Sequence, residues 1–127
     1  MIIVKTPNDV DFNYSECKEM FEKHQEVLDL DDFDTVISTT HFFSFLKDDE
    51  FIGCIYFYEQ DSRVYVTAFA GRGHHELNLE CFKKSLEWYN CDIYAEKVQP
   101  TARYCILKCG FKKIKDDLYV YGRDLNG

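Results

Sequence analysis

Apolar and polar positions along this chain follow two periods, and the places where one gives way to the other mark its elements. Ile2-Ile3-Val4-Lys5 is a short β-branched run closed by Thr6-Pro7-Asn8-Asp9, which predicts a strand and a turn. From Tyr14 the period lengthens: Tyr14, Cys17, Phe21, His24 and Leu28 step by three and four, with Met20 and Val27 beside them, as on one face of an amphipathic helix. Asn13 followed by Glu16 has the spacing of a capping box at its start. The acidic run Asp29-Leu30-Asp31-Asp32-Phe33-Asp34 reads as a polar turn or the start of a second short helix. Three strand-like segments follow, Thr40 to Lys47, Phe51 to Tyr58 and Arg63 to Phe69, separated by Asp48-Asp49 and Glu59-Gln60-Asp61-Ser62. Their short connections predict an antiparallel meander. The almost wholly apolar middle segment is expected to be covered on both faces.

The helical period returns after Ala70-Gly71-Arg72-Gly73. Leu77, Cys81, Ser85 and Trp88, flanked by Phe82, Leu86 and Tyr89, give the buried stripe of a helix that starts near His74 and closes at Asn90. Asp92 to Glu96 predicts a strand and Pro100 to Lys108 a helix capped by Gly110. Phe111 to Lys115 and Leu118 to Arg123, turned at Asp116-Asp117, predict a closing hairpin. The order is β-α-(α)-β-β-β-α-β-α-β-β, an α/β arrangement with helices on both faces of a mixed sheet of about seven strands. No repeat, linker or low-complexity stretch interrupts it, and 127 residues suit one domain spanning 1–127.

Composition sharpens this picture. Aromatics reach 17%, which supplies a large buried area for a small chain. The formal net charge is −8 and no basic run exceeds Lys112-Lys113, so a nucleic-acid partner is disfavoured and a cationic or amine-bearing one is easier to accommodate. No apolar stretch is long enough to span a bilayer. Cys17, Cys54, Cys81, Cys91, Cys105 and Cys109 show no CxxC spacing, most sit among apolar residues, and Met1 leads directly into a strand rather than a signal peptide. Reduced thiols in the core of a cytoplasmic protein are expected.

Two local patterns resemble the Gcn5-related N-acetyltransferase (GNAT) superfamily. Phe69-Ala70-Gly71-Arg72-Gly73-His74-His75, between the fourth strand and the long helix, is similar to that family's pyrophosphate loop, Gln/Arg-x-x-Gly-x-Gly/Ala. Gln99-x-x-Ala102 through Lys108-x-Gly110-Phe111 is similar to its Asn-x-x-Ala to Tyr-x-Lys-x-Gly-Phe segment. The resemblance implies a GNAT-like acyl-CoA N-acyltransferase fold, acetyl-CoA as acyl donor and an amine acceptor. It also implies strands four and five that splay apart to admit the pantetheine arm. Thr67, Ala68 and Phe69 would then bind pantetheine and the thioester carbonyl, while Gly71, Arg72, Gly73, His74, His75 and Gln99 would hold the rest of the cofactor. The physical reason for the loop is that glycines let backbone N–H groups at a helix N-terminus close on a phosphate. Ala70, His75, Gln99 and Ile106 depart from the family pattern, and Ile106 stands where many members carry the tyrosine that protonates the leaving thiolate.

The remaining chemistry is sparse. Tyr104 is the nearest phenol to that position, and Glu96 at the end of the fifth strand suits a general base or a water-orienting group. Tyr119 and Tyr121 alternate on the last strand, where they pack or reach the site. His74 and His75 suit proton transfer. With Cys81 they lack a fourth ligand at helical spacing, so no metal is assigned. For Cys105 as a nucleophile, no base is identifiable from sequence, and packing is the reading for it and for Cys109. Four carboxylates between Asp29 and Asp34 would attract an ammonium group if that segment borders the acceptor. Two functions therefore stand side by side. One is an N-acetyltransferase acting on a small molecule or a protein amine. The other is a catalytically degenerate GNAT-like binding module, in the manner of a viral or phage accessory protein, with its cleft filled by rings such as Tyr65, Phe69 or Tyr94.

Overall fold

The computed structural model describes residues 2–28, 31–70, 73–96, 98 and 100–122, with residues 24–28, 70, 100, 101 and 104 described by backbone alone. Its elements are β1 (Ile2–Lys5), α1 (Tyr14–Leu28), α2 (Phe33–Thr39), β2 (His41–Lys47), β3 (Glu50–Gln60), β4 (Arg63–Ala70), α3 (His75–Leu86), β5 (Ile93–Glu96), α4 (Pro100–Lys108), β6 (Lys112–Lys115) and β7 (Leu118–Tyr121). Every predicted element is present, in the predicted order. The strands form one seven-stranded sheet in the order β1-β2-β3-β4-β5-β7-β6. All neighbours are antiparallel except β4 and β5, which run parallel.

Alternation along the strands divides the side chains between two apolar layers. On one face Phe42, Cys54, Tyr56 and Phe69 meet Cys17 and Phe21 of α1 and Phe33 and Val36 of α2. On the other, Phe45, Ile55, Phe57, Val66, Ile93, Ala95 and Tyr119 meet Cys81, Phe82 and Leu86 of α3 and Ile106 and Cys109 of α4. β3 supplies both layers, as its unbroken apolar run predicts. Its alternation is reset by a bulge: Phe45 opposes Gly53 and Leu46 opposes Phe51, so Ile52 is the extra residue. The aromatic excess is spent chiefly on the α1/α2 face, where Phe21, Phe33, Phe42, Tyr56 and Phe69 lie within ring-contact distance of one another.

Three details differ from the sequence reading. Asn13 forms no capping box; its side-chain oxygen accepts from the buried Ser44 hydroxyl at 2.8 Å, because β2 passes behind the start of α1. Trp88 is not in the buried stripe of α3. The helix ends at Leu86, the chain turns away, and the indole is 46% exposed against Phe43. The acidic run resolves into the cap of α2, with Asp32 accepting from the Thr35 backbone N–H and Asp34 accepting from the Tyr14 hydroxyl. Asp29 lies outside the described residues.

Candidate active site at the β4–β5 opening

β4 and β5 pair over two positions only, Val64 with Ile93 and Tyr65 with Tyr94. Beyond them β4 continues to Ala70 with β3 on one side and, among the described residues, no strand on the other, while β5 continues to Glu96 paired with β7. The sheet therefore opens between two parallel strands at their C-terminal ends. Ala68 is exposed in the middle of β4. α3 follows β4 and α4 follows β5, so both helices begin at the end of the sheet where the strands have parted. The first N–H groups of α3, which have no partner within the helix, are thereby set at the mouth of the opening.

Gly53 seats that helix. A Cβ there would lie 1.9 Å from Asn78 Oδ1 and 2.8 Å from the Phe69 carbonyl oxygen, so only glycine lets the first turn of α3 settle on β3 and the end of β4. Glu50 adds a tether, with its Oε1 2.9 Å from Nε2 of His74, the residue that precedes α3. Gly73 has φ +83°, a conformation that glycine adopts without strain.

On the α1/α2 face the floor of the opening is aromatic. Tyr58 stacks on Tyr65, Tyr65 tilts against Tyr94 across the strand pair, and the Arg63 guanidinium lies 4.5 Å over the Tyr94 ring. The Tyr58 hydroxyl donates to Glu96 Oε1 at 3.1 Å and so links β3 to β5 over the intervening strand. Burial, and then the charge of Glu96, push the Tyr58 phenol well above its ordinary value, so it stays a donor. Tyr56 is pushed up to about 12 by burial, against a smaller opposing pull from the Thr67 hydroxyl.

The structure places the sequence candidates unevenly. Thr67, Ala68 and Phe69 lie on the parted stretch of β4, but the Phe69 ring is buried against Phe21 and Tyr56, which leaves its backbone for a ligand. His74 and His75 are at the start of α3, with rings turned to Glu50 and to Cys105 respectively. Cys105, for which the sequence offers no base, has His75 Nε2 3.4 Å from its Sγ, a contact between helices that no local spacing reveals. Glu96 is at the opening. Gly71, Arg72 and Gln99 lie outside the described residues, as does the side chain of Tyr104. Ile106 is buried among core residues and Tyr119 is likewise core. Gly53, Glu50 and Tyr58 escaped the sequence reading; Gly53, the lone glycine in an apolar strand, was the one available signal.

No protein-family model matches the chain, and no curated protein matches it in sequence. Solved structures do match it. A probable acetyltransferase from Staphylococcus epidermidis superposes with a TM-score of 0.63 at 14% identity, over 96% of this chain and 99% of that one. A Bacillus subtilis acetyltransferase in complex with CoA gives 0.56 at 10% identity, over 94% and 95%. A GNAT family acetyltransferase from Elizabethkingia anophelis with acetyl-CoA bound gives 0.52 at 17% identity, over 91% and 77%. The fold is therefore that of the GNAT acetyltransferases, a mixed sheet parted between its fourth and fifth strands.

Proposed function

We propose that residues 1–127 form a single GNAT-like domain that transfers an acetyl group from acetyl-CoA to an amine. The observation that carries this reading is the parting of β4 from β5 with the start of α3 at its mouth. An unpaired strand edge offers backbone N–H and C=O groups to the amides of a pantetheine arm, in the manner of an added strand. The orphan N–H groups of α3 suit a pyrophosphate. The two solved structures with CoA or acetyl-CoA bound share the fold and lend the choice of donor support.

Bound acetyl-CoA supplies an acyl carbonyl activated as a thioester. The chain's own part is to orient it along Thr67 to Phe69 and to take the proton that frees the amine for attack, which we assign to Glu96 with Tyr58 holding the carboxylate in place. As the C–N bond forms the C–S bond breaks, and CoA would leave as a thiolate that takes up the second proton of the amine. The net charge of −8 and the acidic segment before α2 favour an acceptor that arrives as an ammonium ion. Asp32 and Asp34 are already engaged in holding α2, which leaves long-range attraction rather than a dedicated contact as their contribution.

Thermal unfolding with and without acetyl-CoA tests the reading, with ATP as the control for phosphate binding alone. A ligand at about a hundred times its Kd adds about 2.7 kcal/mol to the native state, several degrees in a domain of this size. That shift with acetyl-CoA and not with ATP is expected, and its absence at millimolar concentration would overturn the proposal. Glu96→Gln should keep the shift and lower turnover by about 10²-fold or more. One observation favours a second reading, a binding module without transfer chemistry: position 106 holds a buried isoleucine with no proton to give. The aromatic floor does not add to it, because Tyr65 and Tyr94 sit at the strand pair itself rather than along the parted stretch.

A further inference from the structure

The Cys105–His75 contact has no part in the reading above. Cys105 is in the second turn of α4 and His75 is the first residue of α3, so their contact bridges the two helices that begin on either side of the opening. Cys105 is half-buried and His75 exposed, so small molecules reach both. The other thiols differ. Cys17, Cys54, Cys81 and Cys109 are buried, and burial pushes Cys54, Cys81 and Cys109 up, away from the reactive thiolate form. Cys91 is the one thiol exposed outright.

We propose that Cys105 is a modification site for small-molecule disulfides, with His75 as its proton acceptor, and that the attached group closes the β4–β5 opening where α3 and α4 begin. In the exchange Cys105 Sγ attacks one sulfur of the disulfide. A new S–S bond forms to Cys105 and the old one breaks. The departing half leaves as a thiolate and receives the proton that Cys105 passed to His75 Nε2, so no oxidant beyond the disulfide is consumed. The site is built by the fold, because the thiol and the imidazole come from different helices. The blocking effect rests on the acyl-CoA reading; the reactivity does not.

The test treats the intact folded protein with oxidised glutathione at neutral pH and follows Cys105 and Cys91 separately by peptide mass spectrometry. Access alone makes Cys91 the faster. The proposal expects Cys105 to lead by roughly tenfold, below the usual range for a positioned base because the pair faces solvent. His75→Asn should remove that lead while leaving the rate of Cys91 and the melting temperature as they were. A Cys105 rate at or below that of Cys91, or one indifferent to His75→Asn, overturns it. In the second arm, protein modified at Cys105 should lose the acetyl-CoA shift and regain it on reduction, and Cys105→Ser should keep the shift under the same treatment. A shift that survives modification overturns the closure. If unmodified protein gives no shift, the acyl-CoA reading fails, and the rate contrast still decides the fate of the thiol site.

Discussion

At the scale of single residues, Gly53 shows how one missing methyl group sets a helix. Its neighbours Asn78 and the Phe69 carbonyl come from α3 and β4, so a Cβ would force apart the elements that frame the opening. Gly53→Ala is expected to destabilise by roughly 1–3 kcal/mol, the range for overpacking a filled core, which urea unfolding would measure. Adding Asn78→Ala should return only part of the loss, because the Phe69 oxygen is backbone and cannot swing aside. Legibility was poorest at this scale. The glycine was visible in the sequence, but what it faced was not. Tyr58 and Glu96, or Cys105 and His75, meet across strands and helices, and a pair distant in sequence leaves no period to read. The residues that follow local rules were plain: Cys17 and Phe21 on the inner face of α1, Cys81 and Leu86 on that of α3.

Among the elements, α4 and its exit carry the clearest local logic. The Gly110 N–H donates to the Leu107 carbonyl and the Phe111 N–H to that of Ile106, which closes the helix with the paired bonds of a Schellman motif. Gly110 has φ +104°, and a Cβ there would also lie 3.3 Å from the Tyr121 ring. Gly110→Ala should therefore lower stability by about 1–2 kcal/mol, read as a melting point several degrees lower. The cap was predictable because glycine after an apolar helical stripe has few other uses. Element boundaries were less so. α3 stops at Leu86 although the apolar stripe runs on through Trp88 and Tyr89, since those rings serve as lids over Phe43 and Phe57 rather than as turns of a helix.

For the molecule as a whole, burial of ionisable aromatics and thiols fixes how stability responds to alkali. Tyr56 is pushed up to about 12 and Cys109 to about 11. Both groups are neutral in the native state and ionise more readily once unfolded. Their contribution is intact below the unfolded values of about 10 and about 9, and is lost as pH climbs to the folded values. Stability should thus decline from about pH 9 to pH 12, which denaturant midpoints measured across that window would check, and Tyr56→Phe should make the upper part of the decline shallower. The parallel step from β4 to β5 was not legible from periodicity, because strand order is a matter of long-range pairing; the resemblance to the acetyltransferases implied only that these two strands splay apart. That step has a mechanical consequence. The sheet is two panels, β1 to β4 and β5 with β7 and β6, hinged on a two-pair ladder and held below by the apolar layer under α3. Within the first panel β2, β3 and β4 follow one another through tight turns and pair at little entropic expense, whereas the hinge must wait for α3 to dock. The opening thus forms after the meander and rests on the shortest ladder of the sheet, so amide exchange at Tyr65 and Tyr94 should outpace exchange at the centre of β3.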